Sequence, residues 1–269
     1  MLRKLERDVA AAGLAPGAPG PAVTEADLAP LPVAARRYLA FMGVVGRPRD
    51  TSFLLHVRGR FRPDLRRGWI ACEAWQYTSA PDVARLFHMR LRLAGVPMYG
   101  RDLYFRGAGR LVIRPLDLFT VVDGRGPEYD ASELVTYLND AVLFAPAMLL
   151  APGVSFASVD DRTFDLRLED RGTAVKARVH LDARGAPLDF ETTDRFTRNP
   201  FQPGQPLVRA RWTTPVDGWQ VLDGRPLPTG GRAVWHLPEG ELPYVEFRFA
   251  PGAIAFGVAP GALAGRRAG

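Results

Sequence analysis

TSFLLHVRGRF, residues 51–61, alternates: Phe53, Leu55, Val57 and Phe61 fall on one side of an extended chain, His56, Arg58 and Arg60 on the other. Successive side chains of a strand point to opposite faces, so the run predicts a strand with one apolar and one wet face. The same rhythm recurs in WIACEAWQYT (69–78) and in LFHMRLRL (86–93), where Phe87, Met89, Leu91 and Leu93 oppose His88, Arg90 and Arg92. Strands buried on both faces would read as unbroken apolar runs, so alternation calls for antiparallel pairing. Further strands are predicted at 103–105, 110–113, 119–122 and 154–159. TFDLRLED and TAVKARVHLD, joined by Arg171-Gly172, lead through 183–185 into PLDFETTDRF as a three-strand meander. After the turn-rich NPFQPGQP, strands are predicted at 208–214, 219–222, 233–237, 244–249 and 254–256.

Helical spacing interrupts this pattern twice. Thr24 with Asp27 three residues on has capping-box spacing, Pro32 suits a first turn, and Ala34, Tyr38, Phe41 and Met42 follow before Gly43. The long helix is EYDASELVTYLNDAVLFAPAMLL (128–150), with a cap spacing at Asp130 and Glu133 and an apolar stripe through Leu134, Leu138, Ala141, Ala145, Met148 and Leu149. Pro146 must end or kink it, having no N–H and a ring that clashes with the preceding turn. The expected fold class is α+β, mainly antiparallel β: a curved sheet or half-barrel wrapped around one long apolar helix. Residues 1–22 read as an N-terminal arm and Pro/Gly linker, 23–258 as one β-rich domain and 259–269 as a tail.

In 269 residues, 47% apolar and 24% charged, there is material for a core. The net charge is +6, but the cations are nearly all Arg, with lysine only at Lys4 and Lys176, and they are spread through the strands, so no nucleic-acid partner is expected. Cys72 is the single cysteine, which excludes an internal disulfide, and its neighbours Ile70 and Ala74 make it a small core residue. No stretch approaches the ~18 apolar residues of a membrane span, and no export signal is legible, so a cytoplasmic location is expected.

The chemistry-bearing motifs are few. No G-x-G-x-x-G follows a strand into a helix, no phosphate-binding loop is present, and no G-x-S-x-G appears. His56, His88, His180 and His236 lie on separate strands without paired spacing, so neither metal nor cofactor is expected. Asp160-Asp161, and Asp102, Asp123, Glu128 and Asp130 beside predicted turns, read as turn and cap residues. In ETTDRF, strict alternation puts Thr192, Asp194 and Phe196 on one face and Thr193 and Arg195 on the other, so Asp194 calls for a cross-strand Arg such as Arg211. Trp69 and Trp75 share a face with Tyr77, and Trp212, Trp219 and Trp235 also fall in strands. The helix face of Glu133, Thr136, Tyr137 and Asp140 points to solvent or to the sheet's hollow.

LPVAARRYL, GVVGRPR, GRFRP, GVPMYGRDLYFRGAGRL, ELVTYLNDAVLFAPAMLL, VDDRTFD, TTDRF and RWTTPVDGW together resemble an uncharacterised bacterial family of unknown function, over roughly residues 30–250. That resemblance implies no reaction and no catalytic residue. A half-barrel like that of the lipoprotein carrier proteins is expected by analogy of pattern alone. The function expected is binding of an apolar or amphipathic, lipid-like small molecule between sheet and helix. Asp194, Arg195, Arg211, Trp212, Trp75, Tyr137, Asp140 and Trp235 are the candidate ligand-binding residues. The alternatives are a hydrolase or isomerase using a cavity carboxylate, Asp194 or Asp140, and an interaction module pairing through exposed sheet edges. The oligomeric state is left open.

Overall fold

The computed structural model describes every residue except Pro16, Pro19, 64–66, Pro203, Asp223 and 266–269. The chain enters through three helices, α1 (Leu2–Ala12), α2 (Glu25–Leu28) and α3 (Val33–Phe41). Thr24 caps α2 reciprocally: its Oγ1 accepts the Asp27 N–H while the Asp27 carboxylate accepts the Thr24 N–H at 2.8 Å. Six strands follow, β1 (Ser52–Phe61), β2 (Ile70–Ser79), β3 (Ala84–Leu93), β4 (Val96–Phe105), β5 (Ala108–Pro115) and β6 (Val122–Arg125). Next come α4 (Pro127–Phe144) and a 3-10 turn at Pro146–Leu150. The second half holds β7 (Val154–Asp160), β8 (Thr163–Asp170), β9 (Thr173–Leu181), β10 (Pro187–Thr197), β11 (Val208–Thr213), β12 (Val216–Leu222), β13 (Arg225–Leu237), β14 (Gly240–Arg248) and β15 (Ile254–Phe256).

All fifteen strands join one antiparallel sheet in the order β6-β5-β4-β3-β2-β1-β14-β13-β11-β10-β9-β8-β7, with β12 on β13 and β15 on β1. Three hairpins close through two-residue turns, Ala94-Gly95, Arg106-Gly107 and Arg171-Gly172, in which both residues have positive φ. Such turns match the right-handed twist of the strands they join. A sheet this long must curl, and α4 lies in its hollow, touching β4 and β5 on one limb and β9 and β10 on the other. Residues 132–149 are buried without a break, and Leu134 and Leu138 are fully enclosed. Burying such a side chain contributes about 1.5–3 kcal/mol. The start of α4 seats against β5 and β6 because both present glycine there: a Cβ on Gly109 would lie 2.1 Å from the Tyr129 carbonyl oxygen, and one on Gly124 2.1 Å from the Tyr129 ring. At Pro146 the α-helix stops and the 3-10 turn carries Met148 and Leu149 back into the core.

Two expectations about strands and faces are corrected. Residues 119–121 are an exposed connection and β6 begins only at Val122, since nothing packs over Phe119 or Val121. The outer face of β2 and β3 is dry near its middle. There α1 docks Leu5 and Val9 onto Trp75, Tyr77 and Leu86, a second core outside the sheet. Trp75 therefore belongs to that outer core, and Trp69 precedes β2 without joining it. His88, read as a wet-face residue, is fully buried, with Nε2 3.0 Å from Asp8 of α1.

Candidate functional site

Because the curled sheet, with Tyr38 of α3 on the Val142 carbonyl, encloses α4 from Ser132 onward, the polar face of the helix is buried too, and each of its polar groups needs a partner. Arg85, on the inner face of β3, supplies the main one. Its Nε donates to Asp140 Oδ2 at 2.6 Å and its Nη1 to Glu133 Oε2 at 3.4 Å, and all three side chains are at least nine-tenths buried. Gln76 Nε2 donates to the same Asp140 oxygen and to Thr78 Oγ1, both at 2.8 Å. On the other limb Thr214 Oγ1 donates to Asn139 Oδ1 at 2.6 Å. A second buried cation, Arg195 on β10, donates from Nη1 to Tyr244 Oη at 2.7 Å, while Trp212 Nε1 donates to that oxygen at 3.2 Å. The Arg195 guanidinium lies 4.2 Å from the Trp212 ring centroid and 5.2 Å from that of Trp235, and its buried Nε has no acceptor among the described residues.

These groups border a cavity of about 150 Å³ between α4 and the sheet. Its polar side is Gln76, Arg85, Asp102, Asn139, Asp140 and Arg195; its apolar side includes Phe61, Phe87, Met89, Phe144, Trp212 and Phe247. Asp102, on the inner face of β4, accepts no hydrogen bond among the described residues. Desolvation raises its carboxyl above the usual range against the pull of Arg85 and Arg195. Burial likewise pushes Glu133 up to about 8, helped by repulsion from Asp102 and opposed by Arg85 and Arg195. Burial therefore favours the protonated form of Glu133. The cavity thus offers the Arg195 guanidinium and a carboxyl that accepts no hydrogen bond among the described residues, beside a hydrocarbon and aromatic wall. Exposed Arg232 stands at its edge, its guanidinium without an ion-pair or hydrogen-bond partner among the described residues.

Of the eight residues singled out from sequence, Arg195, Trp212 and Asp140 line this cavity, and Trp235 backs it through Arg195 and Trp212. Tyr137 sits in the core away from the cavity, where burial raises its hydroxyl pKa. Trp75 lies under α1. Asp194 and Arg211 are on the outer face of the sheet: Asp194 pairs with Arg209 and accepts the Lys176 N–H at 2.8 Å, and Arg211 pairs with Glu191 at 2.8 Å. A β-bulge separates them from Arg195. The β10–β11 register shifts between Thr192 and Arg195, so both of those turn inward while Asp194 turns out. Arg85 and Asp102 were not among the eight. Arg85 had a signal, a cation in phase with the apolar positions 87, 89 and 91. Among the described residues no three His, Cys, Asp or Glu side chains form a metal-binding group.

A long helix enclosed by a curved antiparallel sheet, with one amphipathic cavity beside it, is the class of protein this fold defines. The chain belongs to the family of unknown function DUF6544, whose family model matches residues 21–247. No curated protein matches it. Among solved structures it is similar to a LolA superfamily protein, NE2245 from Nitrosomonas europaea, at 13% identity and TM-score 0.40, covering 83% of this chain and 89% of that one. It is also similar to a DUF1329 family protein from Desulfovibrio piger ATCC 29098, at 14% identity and TM-score 0.41, covering 87% and 92%. Likenesses this distant carry no functional conclusion.

Proposed function

We propose that the protein binds a small amphipathic molecule in the cavity beside α4, its polar head against Arg195 and Asp102 and its apolar part against Phe87, Met89 and Phe247. The supporting observation is Arg195: a buried cation lining the cavity beside an apolar wall, held by Tyr244 and two tryptophan rings, with no carboxylate paired to it among the described residues. A carboxylate, carbonyl or phosphate oxygen pairs with that guanidinium, and the Asp102 carboxyl, whose protonated form desolvation favours, stands beside the same head group. Size limits the candidates. A cavity of about 150 Å³ encloses a group of roughly benzene size, so the ligand is a short or single-chain amphiphile and not an engulfed two-chain lipid.

Calorimetric titration with octanoate and with octanol tests this reading. Octanoate is expected to bind more tightly, and Arg195→Met to remove a charged hydrogen bond and lower octanoate affinity by about tenfold to a hundredfold, with octanol little changed. Equal binding of both by the unaltered protein, or of neither, refutes it. A second reading, acid–base catalysis by a carboxyl, is favoured by the raised pKa of Asp102 at the cavity wall. A pH-dependent turnover of a bound ester or enolisable ligand, lost in Asp102→Asn, would distinguish it from binding alone.

A further inference from the structure

The β1–β6 limb carries an apolar surface outside the cavity. The β5–β6 connection turns Leu116, Leu118, Phe119 and Val121 toward solvent, with Leu118 72% and Phe119 55% exposed, and Val96 at the neighbouring β3–β4 turn is exposed as well. The Leu116 N–H bonds the Pro97 carbonyl at 2.8 Å, so the two turns form one rim. Leu116 and Asp117 hold φ of 52° and 61°, a region non-glycine residues seldom occupy, and such strained backbone clusters at functional segments. This display of leucine and phenylalanine is built into the fold: Arg114 Nη2 bonds the Leu118 carbonyl at 3.2 Å, and Asp117 is ion-paired with Lys4 of α1 and with Arg114.

The surroundings are basic. The two cations on Asp117 cancel the loop's own acid, and exposed Arg92 lies at the same strand end. Arg60, ion-paired with Glu246, and Arg62 stack on Trp69 at 5.2 and 5.0 Å where β1 ends and β2 begins, at the same end of the sheet. Among the described residues, the main core does not reach the inner face leading there from the cavity. Leu91 pairs with Met98, Leu93 with Val96 and Ile113 with Val122, all in phase with the cavity residue Met89, yet Leu91, Leu93, Met98, Ile113 and Val122 are only half-buried and none packs on the main core. An apolar lane thus runs from the cavity to the rim.

We propose that this rim docks on an anionic lipid bilayer, with Leu118, Phe119 and Val121 entering the boundary between head groups and acyl chains and the surrounding Arg and Lys side chains meeting lipid phosphates. Exposed leucine and phenylalanine beside cations, with a tryptophan–arginine stack alongside, is the chemistry of a peripheral interfacial site. The net charge of +6 favours the same surface. Docking does not require a ligand in the cavity, so it stands or falls separately from the binding reading.

The full chain is floated with vesicles of phosphatidylcholine alone and with vesicles that also contain phosphatidylglycerol. Binding is expected to the anionic vesicles, weakened by added salt. The double variant Leu118→Ser/Phe119→Ser is expected to weaken it by roughly tenfold or more, with the thermal midpoint unchanged because both side chains are exposed. Three results overturn the proposal: no flotation with anionic vesicles, equal flotation of the double variant, or a concentration-dependent dimer that the double variant abolishes while vesicles bind neither protein. The last assigns the rim to a second copy of the chain.

Discussion

Replacing Glu133 by glutamine isolates the electrostatics of the buried network, because the amide keeps the shape and can still accept from Arg85 while losing the titration. In the native protein the carboxyl is pushed from 4.5 to about 8 by burial and by Asp102. Between those values the native state holds a proton that the unfolded chain has released. The native state binds more protons there, so stability falls as pH rises through this window and levels off above it. A rise from 4.5 to about 8 corresponds to at most about 5 kcal/mol. The value of about 8 already includes the pull of Arg85, and two conditions on either side of neutrality span only part of the window, so the loss between them comes to roughly 2–3 kcal/mol. Urea unfolding of both proteins at mildly acidic and at mildly alkaline pH measures it. The unaltered protein is expected to lose that stability between the two conditions beyond any loss in Glu133→Gln, which becomes the more stable of the pair at alkaline pH. Parallel profiles would refute a protonated Glu133.

Leu138→Ala removes a fully buried side chain from the middle of α4. It is expected to cost about 2–5 kcal/mol in urea unfolding, and a cost under about 1 kcal/mol would mean that α4 is not enclosed as described. Burial pushes the Cys72 thiol up to about 12, so iodoacetamide at neutral pH is expected to leave the folded protein unmodified and to label it in denaturant, as read by mass. Labelling at equal rates in both would contradict the packing of β2.

The sheet and its central helix were legible because period-two and helical spacing survive burial. The apolar positions of 53–57 and 87–93 all face inward as the alternation requires. Faces were less legible, because alternation predicts which residues lie together and not what covers them. Trp75 and His88 are dry because α1 packs on the outer side of the sheet, a long-range event that no local pattern encodes. At Asp194 and Arg195 the failure has a single local cause: one bulge reverses the phase, so Asp194 left the candidate site while Arg195 entered it. Asp140 was readable from the helix, but its partner Arg85 lies 55 positions away, and only the curl of the sheet brings them together. Asp102 reads as a turn residue because the sequence predicts a strand only at 103–105; β4 in fact starts at Val96, which puts Asp102 in mid-strand on the inner face.

Native mass spectrometry of the purified protein, compared with Ala233→Phe, tests the cavity most directly. Ala233 is a small, buried lining residue, and a phenyl group there fills the space. The unaltered protein is expected to carry, or to take up from added octanoate, one small amphiphile per chain, and the filled variant none. A bare chain mass at every octanoate concentration, or equal uptake by the filled variant, would contradict the claim that this cavity is a binding site.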